Sequence, residues 1–153
     1  MEKNANGADP RPMVGIGVMI QNKAGEVLMG LRQGSHGAGL WAFPGGHLEF
    51  GDSVLETARR EVEEETGLAI GALELVSLYE ELQFIPTDGK HYLDLGIRAE
   101  YLGGEPQLLE PNKCREWKWF ALDNLPPNMF DGTKAMIENL KSGKIYQPQI
   151  RLQ

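Results

Sequence analysis

A chain of 153 residues, 41% of them hydrophobic, holds enough apolar material for one core, and the reading is a single domain over 1–153. Its net charge of −7 excludes a general polynucleotide binder, which needs a basic face to displace counterions, so a small-molecule partner is expected and no nucleic-acid polymer. No apolar run reaches membrane-span length, so no membrane partner is expected, and the lone cysteine, Cys114, allows no internal disulfide and points to a reducing, cytoplasmic setting.

Residues 1–12 are polar, include two prolines and read as a disordered lead-in. Met13 to Gln21 reads as a strand with Gly15 and Gly17 on one face and Val14, Ile16 and Val18 on the other. Glycine within a strand often marks close approach of a ligand or another backbone. Asn22 to Gly25 is a hairpin turn into a second strand, Glu26 to Arg32, followed by a glycine-rich loop from Gln33 to Leu40. Trp41 to Pro44 brings the chain back to the sheet, and Pro44-Gly45-Gly46 reads as a turn where backbone can pass close to a ligand.

The next segment opens a helix. Ser53 with Glu56 forms a capping box, Asp52 adds negative charge at the positive end of the helix dipole, and Thr66-Gly67 closes the helix. At 100° per residue, Val54, Leu55, Ala58 and Val62 form an apolar stripe, while Glu56, Arg59 and Glu63 face solvent. Glu61 and Glu65 lie one turn apart on the edge of the stripe with Glu64 beside them. Converging carboxylates repel unless a cation neutralises them, and an oxygen-only donor set suits Mg²⁺ or Mn²⁺. A solvated helix face with Arg59 and Arg60 as partners would need only the charges; the glycine segment just upstream favours a metal-phosphate site.

Downstream, Leu73 to Glu80 and His91 to Tyr101 read as strands split by the turn Pro86 to Gly89. Alternation sets His91, Leu93, Leu95 and Ile97 on one face. Glu116 to Ala121 is a further strand with Trp117 and Trp119 on the same side. Phe130 to Leu140 has helical spacing, and Ser142 to Gln153 is a polar tail. The order predicts an α/β chain with a mixed sheet between helices.

From Gly46 to Leu68 the chain resembles the Nudix box: glycine, five residues, glutamate, seven residues, then Arg-Glu-apolar-any-Glu-Glu-any-Gly-apolar. Gly46, Arg60, Glu61, Val62, Glu64, Glu65, Gly67 and Leu68 are in register, and Asp52 stands where the pattern has glutamate. The resemblance implies the Nudix α/β/α sandwich and Mg²⁺-dependent hydrolysis of a nucleoside diphosphate linked to another group, with Mn²⁺ able to substitute. It further implies metal ligation by Glu61, Glu64, Glu65 and the Gly46 carbonyl, orientation of the glutamates by Arg60, and a homodimer. Which glutamate is the base stays open.

Outside the box, the segments Gly34 to Gly39, Phe43 to Gly51, Glu110 to Cys114 and Trp117 to Trp119 are similar to the MutT-related triphosphate diphosphatases that sanitise nucleotide pools. That likeness implies hydrolysis of nucleoside triphosphates to monophosphate and pyrophosphate. It also implies substrate contacts at Arg32, Gly45, Gly46, His91, Phe130 and Gly132. Phe130 is equally readable as a core aromatic, and Trp117 and Trp119 as sheet packing. Other nucleoside-diphosphate or isoprenoid-diphosphate substrates, or a non-catalytic ligand sensor, are the alternatives.

Overall fold

The computed structural model describes residues 10–34 and 36–149. Most of the expected lead-in, residues 1–9, and the end of the tail, 150–153, lie outside the described residues.

Strand β1, Met13–Gln21, is the axis of a seven-stranded mixed sheet. Along its whole length it runs parallel to β6, Tyr92–Tyr101, which pairs antiparallel with β5, Ile70–Glu81. On its other side β1 meets β2, Val27–Arg32, only at Gln21 opposite Val27. The rest of that edge is filled by β4, Gly45–His47, with Gly15, Ile16 and Gly17 opposite His47, Gly46 and Gly45. Strand β2 carries β3, Trp41–Ala42, and β7, Cys114–Phe120.

The pleat sorts β1 into two faces. Ile16, Val18 and Ile20 join Leu28, Ile97 and Ala99 beneath helix α1, Val54–Thr66, which contributes Ala58 and Val62. Met19, with Val27, Met29 and Val76, packs under helix α3, Asp131–Ser142, through Met136 and Ile137. The sheet therefore lies between helices, as the alternation of strands and helices predicts.

Ser53 caps α1 through the reciprocal bonds of a capping box, and Gly67 closes it in the left-handed region. The buried stripe, however, consists of Thr57, Ala58, Val62 and Thr66, while Leu55 is 47% exposed. The Thr57 and Thr66 hydroxyls are satisfied by the carbonyls of Ser53 and Val62, so these threonines can replace hydrophobic residues against the sheet. Gly45-Gly46 is also not a turn but a strand. Phe84 precedes one helical turn, α2, Ile85–Asp88, closed by Gly89, where a simple Pro-Thr-Asp-Gly turn was expected.

Replacing Ser53 with Ala should lower stability in urea denaturation by about 1 kcal/mol, the usual worth of such a cap. Leu55→Ser should change it by less than about 0.5 kcal/mol, since Leu55 buries little.

Candidate active site

Two glycines decide how close α1 can come to the sheet. A Cβ on Gly45 would overlap the backbone carbonyl of Ile16, a contact that no side-chain motion relieves. A Cβ on Gly46 would stand within 2.6 Å of Glu61 Oε2, inside its carboxyl group. With hydrogen at both positions, Glu61 and Glu65 press onto the β4 backbone, and the Gly45 N–H donates to Glu65 Oε2 at 3.3 Å. Burial pushes Glu65 up to about 8, against the opposing effect of that N–H; burial and then the neighbouring Glu64 raise Glu61.

Arg60 supports this edge from outside. It pairs with Asp52, lies 3.7 Å from Glu61 and 4.0 Å from Glu64, and its bond to Asp52 raises its pKa. Asp52, one methylene shorter than the family glutamate, therefore still reaches the arginine. Glu64 is 55% exposed in its side chain.

Glu61 and Glu65 open into a cleft of about 630 Å³ on the α3 side of the sheet. Its walls bring together Arg32, Gly45, Gly46, Phe130 and Gly132 from the expected site residues. The first turn of α3 is anchored to the sheet by Phe130 N–H to the Trp41 carbonyl, 2.9 Å, and Phe43 N–H to Thr133 Oγ1, 3.2 Å. Arg32 lies with its guanidinium carbon 4.6 Å from the Phe130 ring centroid and donates from Nε to the His36 carbonyl at 3.1 Å. His36 sets its ring edge-on to both Phe130 and Phe84. Burial lowers the pKa of Arg32 and, with Arg32 second, that of His36.

His91 and Glu64 are not among the residues lining the cleft. His91 precedes β6 and accepts the Met13 N–H, whereas its neighbour Tyr92 faces the cleft and stacks on His47 with centroids 5.4 Å apart. The sequence did not single out Glu81, Asp94 or Tyr79, and Trp117 reads there as sheet packing; all four line the cleft. The available signal was an acid inside an apolar strand, Leu93-Asp94-Leu95. Cys114 is half-buried, its thiol raised by burial, and it packs beside Gly30.

The NUDIX domain model matches residues 11–140. The chain belongs to the NUDIX family. It is 30% identical over 130 residues to an ADP-ribose pyrophosphatase of Methanocaldococcus jannaschii, covering 85% of this chain and 74% of that protein. Identity is 33% over 103 residues to the oxidized purine nucleoside triphosphate hydrolase of Danio rerio, covering 67% of this chain and 62% of the relative's length. In structure it is similar to a MutT NUDIX hydrolase from Burkholderia pseudomallei, with TM-score 0.79, 31% identity, and coverage of 85% and 98% of the two chains. As a NUDIX member the chain is a hydrolase of nucleotide-linked substrates, in a family whose hydrolases use divalent metal ions.

The donor set fits such an ion by its chemistry. Two half-buried carboxylates, one held at about 8 by burial, gain most from a divalent cation that lets both ionise. Among the described residues no three acidic, histidine or cysteine side chains are already gathered round one point. Exposed Glu64 is the nearest further carboxylate on the same helix.

Raised carboxyl pKa values fix the sign of pH dependence. Glu65 and Glu81, each at about 8, hold protons in the fold that the unfolded chain releases near 4.5. In EDTA the melting temperature should fall as pH rises from about 5 to 8. Glu65→Gln should flatten that slope, and adding Mg²⁺ to the parent protein should reverse the loss at pH 8.

Proposed function

We propose that the chain hydrolyses nucleoside triphosphates, oxidised purines among them, to monophosphate and pyrophosphate with Mg²⁺, for which Mn²⁺ can substitute. The observation that carries this reading is the continuity of one cleft. It runs from the α1 carboxylates, past Arg32, to an aromatic wall at Phe130. An anionic phosphate chain needs the cation end and a planar base needs the aromatic end. The relative that acts on oxidized purine triphosphates and the MutT-like structural neighbour support the substrate class.

In this reading Glu61, Glu65 and the Gly46 carbonyl hold the ion, and Glu64 joins from the exposed side of α1. The ion supplies charge neutralisation on the phosphates and acidifies a water. Arg60 keeps Glu61 and Glu64 oriented through its ion pairs, and Asp52 holds Arg60 in turn. Arg32, stacked on Phe130, offers its guanidinium edge to phosphate oxygens without crossing the base slot. One of these glutamates takes the proton from the attacking water. The acidic surface charge supports a small-molecule substrate, and the single cysteine a cytoplasmic setting.

A second reading, ADP-ribose as substrate, is favoured by the archaeal relative's name. Ion-exchange analysis of products separates the two. With Mg²⁺, one or more of the common and 8-oxo (d)NTPs should yield monophosphate and pyrophosphate. Glu65→Gln should lower kcat/KM by roughly a hundredfold or more, the scale of losing a positioned base. Turnover of ADP-ribose alone, to AMP and ribose phosphate, would transfer the assignment to the second reading.

A further inference from the structure

The loop that joins β6 to β7 brings Glu110, Asn112 and Lys113 to the wall of the cleft. Its backbone is anchored on both sides. The Gln107 N–H donates to the Thr66 carbonyl at the end of α1, and the Gln33 N–H, just past β2, donates to the Lys113 carbonyl, each at 2.8 Å. The Lys113 and Cys114 N–H groups both donate to the Glu110 carbonyl, at 2.9 and 3.1 Å, which closes the turn. The Lys113 side chain, by contrast, is 66% exposed, and among the described residues its ion-pair partner is Glu110, with Nζ 3.0 Å from Oε2. An exposed pair of this kind is worth little, so the ammonium group can leave it for a stronger anion. Lys113 therefore has a fixed root and a movable charged tip.

Among the described residues, Arg32 and Lys113 are the arginine and lysine side chains that line the cleft. Their positions differ. Arg32 is stacked on Phe130 and donates to the His36 carbonyl, which fixes its guanidinium at the aromatic side. Lys113 belongs to the α1 end: its pKa is raised first by the bond to Glu110 and, at longer range, by Glu65 and Glu61. Arg60, which also lies near Glu61, is not a lining residue. The α1 end thus presents Glu61, Glu65 and Glu110 with one movable cation among them. A lysine ammonium is a compact charge with three donors on a flexible stem. A free terminal phosphate carries roughly two negative charges near neutral pH on three unesterified oxygens. A phosphate esterified on both sides, as in a nucleoside diphosphate sugar, offers less charge and fewer oxygens.

We infer that Lys113 reads the free end of the substrate: it exchanges Glu110 for the terminal phosphate of a nucleoside triphosphate, and so favours that end over a diphosphate capped by a sugar. This rests on the triphosphate reading above for the direction of the ligand, with phosphates toward Glu61 and Glu65. Lys113 sets specificity and takes no part in bond cleavage. Glu110 keeps the tip at the mouth while the cleft is empty.

Calorimetric titration of the full chain with Mg²⁺ tests this without turnover when every ligand carries a methylene in place of the α,β-bridging oxygen. The ligands are such analogues of ATP, GTP and ADP-ribose. The ATP analogue should bind roughly tenfold tighter than the ADP-ribose analogue, the scale of one charge-assisted hydrogen bond. Lys113→Met keeps the stem and removes the charge. It should weaken both triphosphate analogues roughly tenfold and the ADP-ribose analogue by less than about threefold, at unchanged melting temperature. Lys113→Arg, which restores the charge, should hold the triphosphate analogues within about threefold of the parent. Should Lys113→Met fail to fold, Lys113→Gln and the parent series decide.

Equal affinity of the parent for the ATP and ADP-ribose analogues, or binding of none of the three, would overturn the inference. So would an equal loss for all three in Lys113→Met, which would make Lys113 a general source of positive potential. A triphosphate preference that vanishes in Lys113→Met, in a protein that hydrolyses no triphosphate, would refute the proposed function and leave this inference standing. Triphosphate hydrolysis with affinities indifferent to Lys113→Met would do the reverse.

Discussion

The site depends on one steric constraint: α1 lies against a strand edge that has no side chains. Gly45 and Gly46 together let two helix carboxyl groups reach backbone, and any Cβ there collides with Ile16 or Glu61. The same closeness removes water from Glu65. Keeping that carboxyl protonated near pH 7 costs about 3 kcal/mol relative to the unfolded chain, given a pKa of about 8 in the fold. Few features of a domain stable by roughly 5–15 kcal/mol cost so much, and a packing role alone would be met by an apolar residue. In the proposed function a divalent cation would offset that cost by stabilising the ionised form.

Local signals in the chain led to the helix and its geometry because they are local physics. The Ser53–Glu56 box, the left-handed Gly67 and the inward pair Glu61 and Glu65 follow from 3.6-residue spacing and cap chemistry. Leu55 escaped because periodicity defines a stripe, whereas the neighbouring strands decide its width; they cover the side from Thr57 through Thr66 and leave Leu55 overhanging. Gly45-Gly46 escaped because consecutive glycines look like a turn, and only the partner strand β1 shows why glycine is needed in an extended segment.

The aromatic end of the cleft was less legible, for a reason of register. Alternation along β6 puts His91 in phase with Leu93, Leu95 and Ile97, the side that faces α1. Tyr92, Asp94 and Gly96 are out of phase with them and face α3, where the cleft lies. Likeness to the family suggested His91, whereas the pleat of this strand turns Tyr92 toward the cleft. The pairing of Glu81 with Asp94 could not be read at all. It requires the offset between β5 and β6, which shifts twice, between Ile70 and Leu73 and again between Leu75 and Ser77.

A last consequence concerns how the two faces of the sheet cooperate. Helix α1 packs on one face and the cleft opens on the other, under α3, yet α1 supplies the acids at one end of that cleft. A continuous sheet would wall them apart. Here β1 and β2 pair only at Gln21 and Val27, and the edge they leave is occupied by β4, which carries no side chain at Gly45 and Gly46. The opening in the sheet is therefore where the α1 carboxyl groups meet the cavity. Arg32, at the end of β2 on the far side of that opening, sits between the acids of α1 and those of β5 and β6, with both Glu65 and Glu81 raising its pKa against burial. A cation therefore stands between the two acidic ends of one cleft and feels both.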